Sequence, residues 1–187
     1  MTLENVAGYI PLAGRHADRE GLMKEWITNV ITRELKALRR EIESYPSDED
    51  LWEIPAGIAN PGGNLALHLA GNLQYFVGNV LGKNGYERNR DAEFGSRDIP
   101  RAELLREIDN AIAAVEIGMG TITEADLAKP YPEKVGGVSS STGAFLAHFA
   151  THLAYHLGQV DYHRRILTGE GKTVKAMALT ELTAKSP

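Results

Sequence analysis

The chain has 187 residues and a mass of 20.4 kDa, about one domain's worth. Hydrophobic residues make up 43% and charged residues 24%, a balance that excludes disordered and collagen-like chains. With no cysteine there are no disulfides, thiolate metal sites, iron–sulfur clusters or cysteine nucleophiles, and a formal charge of −5 without a dense basic patch speaks against nucleic-acid binding.

The opening MTLENVAGYI carries Glu4 and no basic stretch, so it does not read as a secretory signal. A cytoplasmic protein is expected. Helix-period hydrophobicity then marks four segments. The first spans about 20–45, with Ile27, Ile31, Leu38 and Ile42 as its stripe and Pro46 as its stop. The short basic cluster on it (Lys36, Arg39, Arg40) reads as a solvated face, and so does Arg164–Arg165 further on. The second spans about 62–82, with Pro61 at its start. Its seam reads Leu65, His68, Asn72, Tyr75, Asn79, beside an apolar stripe of Leu69, Leu73, Phe76 and Val80.

The third segment spans about 100–118, on a stripe of Leu104, Ile108, Ala111, Val115 and Met119. The fourth spans about 141–168, with a Ser/Thr run as N-cap and Gly169 as stop. No period-2 run is long enough to build a sheet. The fold expected is all-α, a single four-helix-bundle domain over 1–187 with long connecting loops and a tail at 170–187 to which no role is assigned. The apolar stretches of the second and fourth helices are interrupted by His, Asn and Gln, so no membrane span is expected.

Four of the six histidines, His148, His152, His156 and His163, fall within sixteen residues, where a uniform scatter would place about half of one. On a helical wheel the fourth segment has an inward seam of Phe145, Phe149, His152, His156, Gln159 or Val160, His163, and Ile166 or Leu167. His152 and His156, four apart, are stacked neighbours on one face and suit one ion. His148 cannot join them, because eight residues rise ~12 Å and ligand nitrogens sit ~2.1 Å from a metal. A third ligand must come from another helix, and His68 sits on an apolar face of the second. Unpaired imidazoles in a core are costly, and a metal would satisfy all three. The competing reading is a metal-free bundle whose histidines satisfy one another. His16 is assigned no special role, and His163 is expected to hydrogen-bond rather than coordinate.

The string THLAYHLGQVDYHRR, with His152, His156, Gly158 and Gln159, resembles the H-x-x-x-H-x-G-Q signature of the DinB-like four-helix-bundle metalloprotein superfamily. NLALHLAGNLQYF, around His68, resembles that family's second-helix ligand segment, and ERNRDAEF and ITEADLAKPYP are similar to its connectors. The resemblance covers about 22–167. It implies a DinB-like bundle, often a homodimer, holding a divalent metal, zinc or nickel, on His68, His152 and His156.

Three neutral ligands leave a coordination position open, as in a catalytic site. The resemblance implies a metal-dependent enzyme acting on a small molecule, with a transferase using a low-molecular-weight thiol preferred over a hydrolase. The alternative is a metal-binding or stress-response module without turnover. The pocket is expected between the second and fourth helices. Trp52, Tyr75, Asn72, Arg90 and Asp91 are candidate lining residues, each of which reads first as structural. Gln159 is a candidate to orient a histidine or bind a ligand. The inner seams offer no evident general base.

Overall fold

A computed structural model describes residues 22–182. Among them the chain is helical, with no strand and two isolated β-bridges. Five α-helices are present: α1 (Leu22–Glu43), α2 (Gly62–Leu73), α3 (Arg90–Gly95), α4 (Arg101–Thr121) and α5 (Thr142–Thr168). None is long and apolar enough to cross a membrane. The four predicted helices correspond to α1, α2, α4 and α5. The short α3 lies inside the stretch expected to be loop.

The helix ends follow from local chemistry. Ser141 Oγ accepts from Ala144 N at 3.3 Å to start α5, and Gly169 ends it at φ 68°, a left-handed conformation that glycine adopts without a Cβ penalty. Asn89 Oδ1 caps α3 through Ala92 N at 3.0 Å. The orphan amides of Met23 and Lys24 at the start of α1 donate to the Glu124 carboxylate, which a 3₁₀ turn (Glu124–Ala128) carries in from beyond α4.

α1 packs mainly against α4 and α5, and α2 packs against the same two. Ile31, Leu35, Leu38 and Ile42 on α1 are fully buried, as are Leu104, Ile108, Ala111 and Val115 on α4. These are the stripes expected, except that Leu35 joins the one on α1 and Ile27 is only half-buried. Gly62 lies against His163, and Phe76 stacks on Phe149 with ring centroids 5.1 Å apart, so α2 and α5 run antiparallel.

The second predicted helix does not continue regularly to residue 82. From Gln74 to Asn79 it widens into a π-helical turn, with Val80 N donating to Tyr75 O at 2.9 Å and Gly82 N to Val77 O at 3.2 Å. Here α4 comes very close: a Cβ on Gly118 would lie 2.1 Å from Val77 O, so only glycine fits. The extra residue per turn also brings Val77 fully into the core, where the regular stripe had placed Phe76, which is half-buried.

The inward seam of α5 also differs from the one expected. It runs through Phe145, Phe149, Leu153, Leu157, Val160, His163 and Arg164, one position round from the predicted line. Gln159 and Ile166 are exposed, and His152 and His156 are half-buried at its edge. Both registers satisfy helical spacing. Leu153 and Leu157 offer more apolar surface than the imidazoles, so they take the centre of the core. Arg164 is a second correction. It is buried, not solvated, and its Nε donates to the equally buried Glu41 at 2.6 Å.

The tail returns along α1. Arg40 Nε donates to Val174 O at 3.0 Å, Arg164 to Lys172 O at 2.9 Å, and Asn29 Nδ2 to Leu182 O at 3.2 Å. His16 lies outside the described residues.

Candidate metal centre

α2 and α5 present His68, His152 and His156 to one another. One ring nitrogen from each lies within 4.8 Å of the others. His68 Nε2 is 3.2 Å from His152 Nε2. Two nitrogens ~2.1 Å from one ion at a tetrahedral angle lie about 3.4 Å apart, so this spacing fits shared ligation. The His152 and His156 rings meet edge to face with centroids 4.7 Å apart, as the i, i+4 spacing on α5 requires.

The outer nitrogens of two of the rings are engaged. His68 Nδ1 lies 2.9 Å from Glu93 Oε2, and His156 Nδ1 lies 2.7 Å from Gln159 Oε1. A carboxylate and an amide oxygen can only accept, so each Nδ1 carries the proton and each Nε2 keeps its lone pair for the shared point. A second acceptor behind a ligating imidazole is the usual support of a metal site. Glu93 is itself clamped, by Arg88 Nε at 2.7 Å and Arg88 Nη2 at 2.8 Å. Burial pushes the Glu93 carboxyl up, but the Arg88 and His68 contacts outweigh it and leave it below its ordinary value.

Burial, and then the neighbouring His156, His68 and His148 rings, pushes His152 down to about 4. Burial, and to a lesser degree His68, also lowers His156, against the opposing effect of the hydrogen bond it donates to Gln159. Both are thus held in the neutral form that coordinates metal.

The other candidates separate. Asn72, one turn beyond His68, is buried with Oδ1 unpartnered. Tyr75 turns away, its hydroxyl donating to Glu133 Oε2 at 3.0 Å. Trp52 packs on Gly63 and lines a separate cavity with Asp48 and Asp98, so it is not a wall of this site. Asp91 is exposed, and Arg90 stacks on Phe94, which packs on His68 at 4.7 Å. His148 is exposed, stacks on His152 at 6.0 Å and stays outside the cluster. His163 hydrogen-bonds, as expected, through Nδ1 to the Tyr45 hydroxyl at 2.8 Å and through Nε2 to Glu53 O at 2.9 Å.

Glu93, Arg88 and Phe94 are the residues that sequence reasoning missed. The signal was Asn89. Read as an N-cap, it starts a short helix that turns Glu93 inward, and the buried Asn64 side chain holds that helix against α2 through Glu93 O at 2.8 Å and Ser96 O at 3.0 Å. Replacing Glu93 with Ala is expected to weaken metal binding by about 10–100-fold, since it removes only the support behind His68. Competition with a chromophoric chelator checks this, and unchanged affinity would show that Glu93 only ties α3 to α2.

No curated protein and no solved structure matches the chain. A family model described as "Protein of unknown function (DUF1572)" matches residues 22–180, a span that includes the three histidines, Arg88 and Glu93; the chain belongs to that family.

Proposed function

We propose that this protein is a divalent-metal-dependent enzyme of DinB-like, four-helix-bundle type that acts on a small molecule. Zinc or nickel would be held by His68, His152 and His156. One observation carries the reading: three imidazole nitrogens converge while Glu93 and Gln159 fix the outer nitrogens of two of the rings. When bound, such an ion supplies Lewis acidity, which lowers the pKa of a thiol or polarises a carbonyl. Three protein ligands leave room for a substrate atom. The chain's own part is to keep His152 and His156 neutral, fix the tautomers of His68 and His156 and shield one side of the site with Phe94.

A thiol transferase is preferred over a hydrolase for a chemical reason. Hydrolysis wants a free proton acceptor near the centre. The buried carboxylate here, Glu93, is occupied by Arg88 and His68. A low-molecular-weight thiol needs no such base once its pKa falls. The test is a turnover screen of the zinc- and nickel-loaded protein with thiols plus electrophiles, alongside esters and amides. A metal-dependent rate with a thiol, abolished by His156→Ala, is expected. Metal-dependent ester or amide cleavage would favour the hydrolase, and no metal-dependent rate on any substrate would favour a binding module without turnover.

A further inference from the structure

A cavity of about 380 Å³ borders His156 on the side of α2's first turn. That is within the ~300–1,000 Å³ range of small-molecule sites. Its walls are Leu65 from α2, the loop at residues 57–60, and Tyr155, Gln159 and Tyr162 from α5. Charged residues make up 24% of the chain, yet none lines this cavity. A charged ligand would leave water here without an ionic partner, at a large desolvation cost.

The polar groups present are specific. Gln159 Oε1 faces His156 Nδ1, which fixes the amide's orientation. Its two N–H donors make no hydrogen bond among the described residues and suit an acceptor oxygen. Tyr155 and Tyr162, 67% and 66% exposed, stand two helical turns apart on the outer face of α5. Tyr155 meets His156 edge to face at 5.1 Å. Arg165 lies 5.9 Å over the Tyr162 ring, and its charge is paired with Asp161 at 3.0 Å. Large aromatic rings kept in water beside a pocket provide stacking surface for another ring.

We propose that this cavity is the subsite for an uncharged aromatic carbonyl compound, whose ring lies against Tyr155 and Tyr162 and whose carbonyl oxygen accepts from Gln159. Of the three clustered histidines only His156 lines the cavity, and it does so on the side of its outer nitrogen, so this proposal goes beyond the metal centre and stands apart from it. Three probes test it on the zinc-loaded full chain by ligand-observed NMR titration: benzamide, benzamidine and acetamide. Benzamidine keeps the ring but replaces the carbonyl oxygen with a charged donor, and acetamide keeps the carbonyl but lacks the ring.

Benzamide is expected to bind about tenfold more tightly than either, and Tyr162→Ala, at an exposed position, to weaken it about fivefold. Equal or tighter binding of benzamidine or acetamide would overturn the proposal, as would indifference to Tyr162→Ala. A dimer that Tyr162→Ala converts to monomer would also overturn it, because the tyrosines would then cover a second copy. Zinc content of the same samples separates the two readings. Benzamide binding without zinc leaves the cavity standing and removes the metal centre; zinc binding without benzamide does the reverse.

Discussion

Purified without a polyhistidine tag, the protein is expected to carry about one equivalent of divalent metal, and His68→Ala or His156→Ala less than roughly a tenth of one. Losing a group behind a ligand costs 10–100-fold in affinity, and losing a ligand itself costs more. His148→Ala is the control, because that ring is exposed and outside the cluster. Full occupancy in His156→Ala would sink the assignment. The pH profile provides a second check. Metal and proton compete for the same nitrogens, so three ordinary imidazoles would lose affinity about a thousandfold per pH unit below ~6.5. His152 is pushed down to about 4 and His156 is also lowered, so the loss between pH 6.5 and 5 is expected to be shallower. The metal-free protein shows the opposite face of the same shift. Its unfolded chain binds more protons than the folded one between about pH 6.5 and 4, so stability falls as pH drops through that window. His152→Gln is expected to flatten that fall in a thermal melt.

Arg164→Met is expected to cost about 3–5 kcal/mol, the usual result of stranding one half of a buried ion pair. For a chain of this size that lowers the melting temperature by roughly 10 °C. Arg164 Nε lies 2.6 Å from Glu41, and its Nη2 reaches Asp161 at 3.2 Å and the tail carbonyl of Lys172 at 2.9 Å. Burial pushes Glu41 up against the pull of Arg164, and Asp161 adds to the rise. Without the guanidinium that rise grows. A carboxyl with a raised folded-state pKa binds a proton more tightly when folded, so it loses stability as pH rises. The deficit of the variant is therefore larger at pH 8 than at pH 5. Glu41→Leu combined with Arg164→Leu should recover most of the loss, because two apolar side chains need no partner. A melting temperature within about 2 °C of the parent for Arg164→Met would refute the argument.

Much of this was legible because it is local. Pro46, Pro61, Ser141 and Gly169 bound helices by rules of backbone geometry that hold in any context. The stripe on α4 was read residue for residue, since Leu104, Ile108, Ala111, Val115 and Met119 repeat at one face. The i, i+4 spacing of His152 and His156 and the apolar setting of His68 identified three residues that the fold brings together. Less was legible where two local solutions compete. The seam of α5 shifted by one position because Leu153 and Leu157 bury more apolar surface than the histidines. That shift leaves His152 and His156 half-buried at the rim, open to solvent.

By itself the sequence determined the helical class, the helix ends at Pro46, Pro61, Ser141 and Gly169, the absence of protein thiolate ligands and the three imidazoles. Those follow from residue type and spacing, which need no partner. Only the tertiary structure decided what stands behind His68 and His156, why α2 widens after Leu73, and which arginine is buried. Glu93 is twenty-five residues from His68, and Glu41 is 123 from Arg164. The close approach of Gly118 to Val77 depends on two helices meeting. Contacts between distant segments are set by how the helices pack, and packing is a property of the whole chain that no local pattern contains.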